Sequence, residues 1–293
     1  MRAWKAAWVV PAVLGLGGGV CWLHAALDAA ALRRFARTVV DPQQPPDDQI
    51  LALSRWIYES RPSSRNPSGF VLRSLGATPL QVLSSGGDCA DKARLLTALA
   101  DSLNLDATPV MLFDPRNGKP VHTVVEVEYA EGRRFVVDPS YDLHFPHPEG
   151  GYHDVISLRR APQAATARIR EAVRTSPWPA RIHFRNLPDC DYATASTFNW
   201  NGGGLRRLAF TILHGFYGDD VHRLHRPAFL ENPPLAVGLM LFGSSAGAAL
   251  LLLILRRLMP RSRRSTRRAI PLVTPERSVR SLGCGHPQSL TAR

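Results

Sequence analysis

The sequence predicts an α+β domain, a helix packed on an antiparallel sheet, held between two transmembrane helices. Three observations carry that prediction. After "GGDC", apolar residues recur at Ala93, Leu96, Ala100 and Leu103, the spacing of one helix face. Three β-branched segments then follow, "TPVMLF", "VHTVVEVEY" and "RRFVVD", separated by turn residues such as "DPRNGKP". Near each end of the chain lies a long apolar stretch without a charged residue.

The ends also explain the charge. The formal net charge is +12 over 293 residues, which by itself suggests nucleic acid. Residues 256–293, however, hold ten arginines and one glutamate, and Arg2 and Lys5 add two more positive charges, which leaves +1 over residues 6–255. A near-neutral central region offers no basic face for nucleic acid, and none is expected as a partner. Leu235–Leu255 is 21 residues without a charge, enough to cross a bilayer as a helix. It is followed by "RRLMPRSRRSTRR", so the positive-inside rule puts the C-terminus in the cytoplasm, with the arginines touching anionic lipid. Ala6–Leu27 follows Arg2 and Lys5 and is read as an uncleaved anchor. A cleaved signal peptide is the other reading, because "LHA" before Ala26 resembles a small-residue cleavage site. Either way residues 28–234 lie outside the cytoplasm, the periplasm for a bacterial inner membrane.

In chain order the expected parts are a cytoplasmic N-terminus (1–5), the anchor or signal peptide (6–27), a linker (28–46), the folded domain (47–160), a membrane-proximal extension (161–234), the transmembrane helix (235–255) and a basic cytoplasmic tail (256–293). The domain opens with a helix capped by Asp47 or Asp48, with Ile50, Leu53, Trp56 and Ile57 on one face. Glu59–Gly69 reads as a loop and Phe70–Leu75 as a second short helix. Gly86 and Gly87 then break the chain, Asp88 is a good N-cap, and Cys89 becomes the first residue of the next helix. The free N–H groups and positive dipole end there favour a thiolate over a thiol. A small buried residue is equally at home in that position.

The hairpin joined by Ala130–Gly132 permits a geometric test. If its turn centres on Glu131, paired residue numbers sum to about 262. Asp138 then faces Val124, and His122 lies diagonal to Asp138 on the same side, about 7–8 Å away at the backbone. Glu126 shares that face, while Val125, Val127 and Tyr129 point the other way into a core. A one-residue slip would destroy the pairing.

A helix-start Cys, a strand His and a next-strand Asp, in the sequences "GGDCADKARLLTALADSLNLDATPV", "HTVVEVE" and "FVVDPSY", resemble the transglutaminase-like superfamily, which has a papain-like fold. The likeness covers roughly residues 45–145. Val124 stands where the family often has an aromatic two residues after its His. The resemblance implies a cysteine-dependent acyltransferase or hydrolase of amide bonds, with Cys89 as nucleophile, His122 as its base and acid, and Asp138 orienting the imidazole. The Cys89 N–H would help bind the oxyanion, and Gln81 is a candidate second donor. A protein or peptide would be the substrate, and the chemistry needs no cofactor. A non-catalytic reading stays open: a scaffold or binding module of cell-envelope or polysaccharide machinery that keeps the groove for docking.

Other features are weaker. His144, His147 and His153 share one loop without a clearly paired Cys or carboxylate, and are read as a loop bordering the cleft, with no metal assigned. Residues 163–175 form a helix with Arg168, Arg170 and Arg174 exposed. Asn199–Asp220 is either an amphipathic helix at the membrane surface or the core of the extension. Of the four cysteines, Cys21 falls in the first apolar segment and Cys284 in the tail. Cys89 and Cys190 are left as the possible disulfide, the rival to a catalytic Cys89.

Overall fold

The computed structural model describes residues 2–61, 69–71, 73–175 and 191–258. It is an α+β structure with a four-stranded antiparallel sheet in the order β1-β2-β3-β4. Two helical stretches, Trp4–Val39 and Pro233–Leu258, are long and apolar enough to cross a membrane, and only 17% and 6% of their most apolar windows is buried.

A short helix α1 (Arg2–Ala7) leads into α2 (Val9–Val39). Pro11 does not break α2 because it sits in the first turn, where no intrahelical partner is lost. The glycines serve packing against α10 (Pro233–Leu258). A Cβ on Gly18 would lie 3.1 Å from the Phe242 ring, and one on Gly238 would lie 2.7 Å from Trp22. Ser245 Oγ donates to the Pro11 carbonyl at 2.7 Å. Small residues and one interhelical hydrogen bond thus let the two backbones approach closely.

The expected linker at 28–46 is largely replaced by helix. α2 continues to Val39, and Leu32, Ala36 and Val40 are buried in the core with Ile50, Leu53, Leu96 and Leu99. Leu32, Phe35, Ala36 and Val39 fall on one helical face, so this half of α2 is built to dock, and Phe35 packs edge-on to Trp56 at 4.5 Å.

In α3 (Pro46–Ser60) neither Asp47 nor Asp48 is the cap. Pro45 occupies that position without a side-chain bond, and Pro46 starts the helix with its fixed φ. The two aspartates instead lie in the first turn, where the helix dipole favours them. Ile50, Leu53 and Ile57 are fully buried. Residues 62–68 of the expected loop lie outside the described residues. Of the helix expected over 70–75, Leu72 lies outside the described residues and Arg73–Leu75 forms a 3-10 turn. A helix not expected from the sequence, α4 (Pro79–Ser85), follows. Its N-terminus is a capping box: Thr78 Oγ1 accepts from the Gln81 N–H and Gln81 Oε1 accepts from the Thr78 N–H.

Helix α5 (Cys89–Ser102) is packed on the sheet of β1 (Ala107–Phe113), β2 (Pro120–Ala130), β3 (Arg133–Asp138) and a short β4 (Leu143–His144). The register pairs Val125 with Val137, Glu126 with Val136 and Val127 with Phe135, each summing to 262. Both faces of the sheet are covered. Val125, Val127, Phe135 and Val137 meet α2, α3 and α5. Val110, Leu112, Val124 and Val136 meet Phe145, Val155, Leu158 and Tyr192. Leu95, Leu96 and Leu99 of α5 are fully buried, and truncating any one to alanine costs about 2–5 kcal/mol.

The second face is closed by α6 (Val155–Arg160) and α7 (Pro162–Thr175). Arg170 and Arg174 on α7 are exposed, whereas Arg168 is half-buried and donates to the His144 carbonyl at 3.3 Å. Then come α8 (Gly204–Tyr217), a 3-10 turn over Gly218–Arg223, α9 (Ala228–Glu231) and α10.

Candidate active site

The start of α5 is fixed by three residues. Gly86 ends α4 at φ 79°, a conformation that favours glycine. Gly87 is required by close approach, since a Cβ there would fall 2.3 Å from Asp91 Cβ. Asp88 caps the helix, its carboxylate accepting from the Asp91 N–H at 3.0 Å. Cys89 is therefore held at the first helical position, half-buried and free of any disulfide.

The histidine is set by an irregularity that the sequence pattern did not reveal. Leu112 pairs with His122 but Phe113 pairs with Pro120, so Val121 is left without a counterpart. This bulge lies immediately before His122, where an extra residue bends the strand and re-aims the neighbouring side chain. His122 is 5% exposed and Asp138 is fully buried. Nε2 of His122 and Oδ2 of Asp138 lie 2.6 Å apart, a charge-assisted hydrogen bond in which the ring nitrogen donates. The other carboxylate oxygen of Asp138 accepts from the Ser140 N–H at 2.9 Å. With Nε2 committed to Asp138, Nδ1 is the ring nitrogen left for Cys89, which lies close enough to His122 to favour its charged form. Cys89, His122 and Asp138 are thus brought together in one line of contacts.

The charge on this line has opposing causes. Burial disfavours the imidazolium, but the Asp138 carboxylate, its hydrogen bond, and the contact with Cys89 together outweigh it. The His122 ring is held well above the ordinary histidine value. Tyr141, in the same turn as Ser140, packs on the imidazole with ring centroids 5.4 Å apart. It was not singled out from the sequence, although "DPSY" contains it.

Two polar side chains near the site carry structural bonds. Gln81 spends its side-chain oxygen on the capping box of α4, which gives it a structural role. Glu126 shares the sheet face of His122 but accepts from the Val155 N–H at 2.9 Å, at the start of α6, with Arg134 and Arg223 each 3.8 Å from its other oxygen. Its burial pushes its pKa up to about 6 against the pull of that N–H and the two arginines.

The three loop histidines divide between two places. His144 packs edge-on to Tyr152, while His147 and His153 lie 4.6 Å apart at their ring centroids. Burial, joined by the neighbouring Arg168 for His144 and by His147 for His153, lowers the values of both His144 and His153. Among the described residues no group of three or more His, Cys, Asp or Glu side chains is arranged to hold a metal ion. Cys190 lies outside the described residues.

No family model, no curated protein and no solved structure matches the chain.

Proposed function

We propose that the chain is a membrane-anchored, transglutaminase-like cysteine acyltransferase or hydrolase acting on amide bonds. The observation that carries this reading is the buried imidazole between a carboxylate and a helix-start cysteine. A helix bearing the nucleophile, packed on an antiparallel sheet that supplies the base and its orienting acid, is the arrangement of a papain-like fold and supports that assignment.

The chemistry follows from these groups. The Cys89 sulfur attacks the amide carbonyl carbon, and the oxyanion that forms meets the N–H groups at the start of α5. His122 gives its proton to the leaving amine as the C–N bond breaks, leaving a thioester on Cys89. An incoming amine or water then attacks, loses its proton to His122 and releases a new amide or a carboxylic acid, regenerating the cysteine. Asp138 keeps the imidazole in the tautomer and orientation this requires.

The placement proposed is the bacterial inner membrane, with α2 and α10 spanning, the domain in the periplasm and both termini in the cytoplasm. The arginines after Leu255 support that direction. The unbroken run of α2 into the domain core supports an uncleaved anchor, since a cut before Ala26 would fall in mid-helix. The substrate proposed is a protein or peptide amide.

The near-complete burial of His122 and Asp138 favours a second reading, a catalytically silent docking module. A thiol-reactive activity probe applied to the full chain in membranes separates the two. Labelling that is lost in Cys89→Ala and strongly reduced in His122→Ala supports the enzyme. Labelling no faster than that of a denatured control supports the module.

A further inference from the structure

Helix α8 carries large apolar residues that nothing among the described residues covers. Leu205, Leu208, Ile212 and Phe216 are 82%, 57%, 53% and 82% exposed, and none of the helix's fourteen residues is buried. At 100° per residue these four fall within an arc of about 80°. The opposite side of the helix faces the protein. Phe210 there packs against Trp200 and His222 at 5.8 and 5.5 Å.

That inner contact fixes where the outer stripe points. His222 is tied to Ser196 and Thr197, and Ser196 forms a two-way backbone bridge with Met111 on the open edge of β1. The chain that enters α10 is tied to this same edge, because Arg226 bonds to Thr108 and Thr197. Phe229 and Leu230, in the last turn before α10, are also exposed, at 40% and 45%. The edge of the sheet from which α10 departs is therefore the edge on which α8 lies, with its apolar stripe turned outward. α8 contains two arginines and a histidine and no acidic residue, which suits a surface of anionic lipid.

We propose that α8 lies in the plane of the membrane interface, with Leu205, Leu208, Ile212 and Phe216 set into the headgroup–acyl boundary. The occupant of the stripe is the lipid bilayer itself. A helix with one strongly apolar face and basic polar residues binds an interface in this way. Together with α2 and α10 it makes a third attachment, which holds the β1 edge against the bilayer and fixes the tilt of the domain. The inference rests on α2 and α10 crossing a membrane, and is independent of the cysteine chemistry.

The test uses the full chain in nanodiscs of phosphatidylcholine and phosphatidylglycerol, with native cysteines replaced and a single environment-sensitive fluorophore attached. The labelled positions are Ile212→Cys on the stripe, Ala246→Cys in the middle of α10 and Glu131→Cys on the β2–β3 turn. The expected result is blue-shifted emission at 212, quenched more by a nitroxide near the lipid headgroup than by one near the acyl-chain end. Position 246 should show the reverse order and position 131 no quenching. Quenching at 246 with none at 212 would overturn the interfacial helix while leaving the spanning helices intact. Loss of quenching at both would remove the membrane reading and this inference with it. Energy transfer between 212 labels on two copies, in place of lipid quenching, would assign the stripe to a second copy and overturn the proposal.

Discussion

Burial alone would strip His122 of its charge, and its ring is 5% exposed. Asp138 reverses that outcome through a 2.6 Å hydrogen bond, and Cys89 adds to it. A histidine held above its unfolded value adds stability that is complete below about pH 6.5 and is lost as pH rises through the raised folded value. The same charge sits beside the sulfur, so the pH dependence of Cys89 alkylation reports on it. Asp138→Asn keeps the shape and removes the carboxylate, leaving burial to dominate. Iodoacetamide labelling of Cys89 at pH 6 should then slow by about tenfold or more, the equivalent of at least one unit in the His122 titration. An unchanged rate, followed by mass spectrometry, would show that Asp138 does not govern the imidazole. The placing of these residues was legible because the strand period is two and the turn at Gly132 is short, which fixed the register at 262. The bulge at Val121 was not legible, since an extra residue leaves no mark on an alternating pattern that begins there. The capping role of Gln81 was not read, because it depends on Thr78, three residues earlier, and the "TPLQ" signature was passed over.

At the scale of elements, the join between β2 and α6 depends on one buried carboxylate. Glu126 caps the α6 backbone through Val155 and lies between Arg134 and Arg223. Burial raises its value from 4.5 to about 6 in spite of these partners. A group raised on folding contributes stability that is present below its unfolded value and lost as pH rises through the folded one. The window is therefore pH 4.5 to about 6, and the contribution at stake is roughly 2 kcal/mol. Glu126→Gln can still accept from Val155 but has no proton to lose. Urea unfolding of the detergent-solubilised chain at pH 4.5 and pH 7 should show the wild type losing about that much more stability than the variant across the interval. Equal pH dependence in the two proteins would remove Glu126 from the account. The elements themselves were unequally legible. α5 has a cap, a glycine break and an apolar period that agree. The lower half of α2 was hidden because an apolar run sufficient to span a membrane ends near Leu27, yet Leu32, Phe35, Ala36 and Val39 continue the helix into the core. The seven-residue α4 is too short for its period to register.

For the whole molecule, the placement of the chain across the membrane decides the fate of its cysteines. Cys89 is a free thiol in this structure, as is Cys21 on α2. If residues 28–234 face an oxidising compartment, Cys190 becomes a chemically possible partner for Cys89. A bridge between them would close a loop of about a hundred residues, which stabilises the folded chain by roughly 4–5 kcal/mol in the chain-entropy model. Against that gain stand the contact of Cys89 with the charged His122 ring and the helix start that holds the cysteine beside it. A disulfide would remove the nucleophile, so the enzyme reading requires the thiol to survive in its own compartment. The expected result is an unbridged Cys89 when intact cells are alkylated before lysis and the purified chain is mapped by mass spectrometry without reductant. An alkaline phosphatase fused near residue 150 should be active and one fused after residue 293 inactive, which fixes the compartment in which that result is read. An active fusion after residue 293 would invert the topology and move the domain into the reducing cytoplasm, where a free thiol carries no information. With the topology as proposed, a Cys89–Cys190 peptide in most molecules would make the helix-start cysteine structural and leave His122 and Asp138 without a nucleophile to serve.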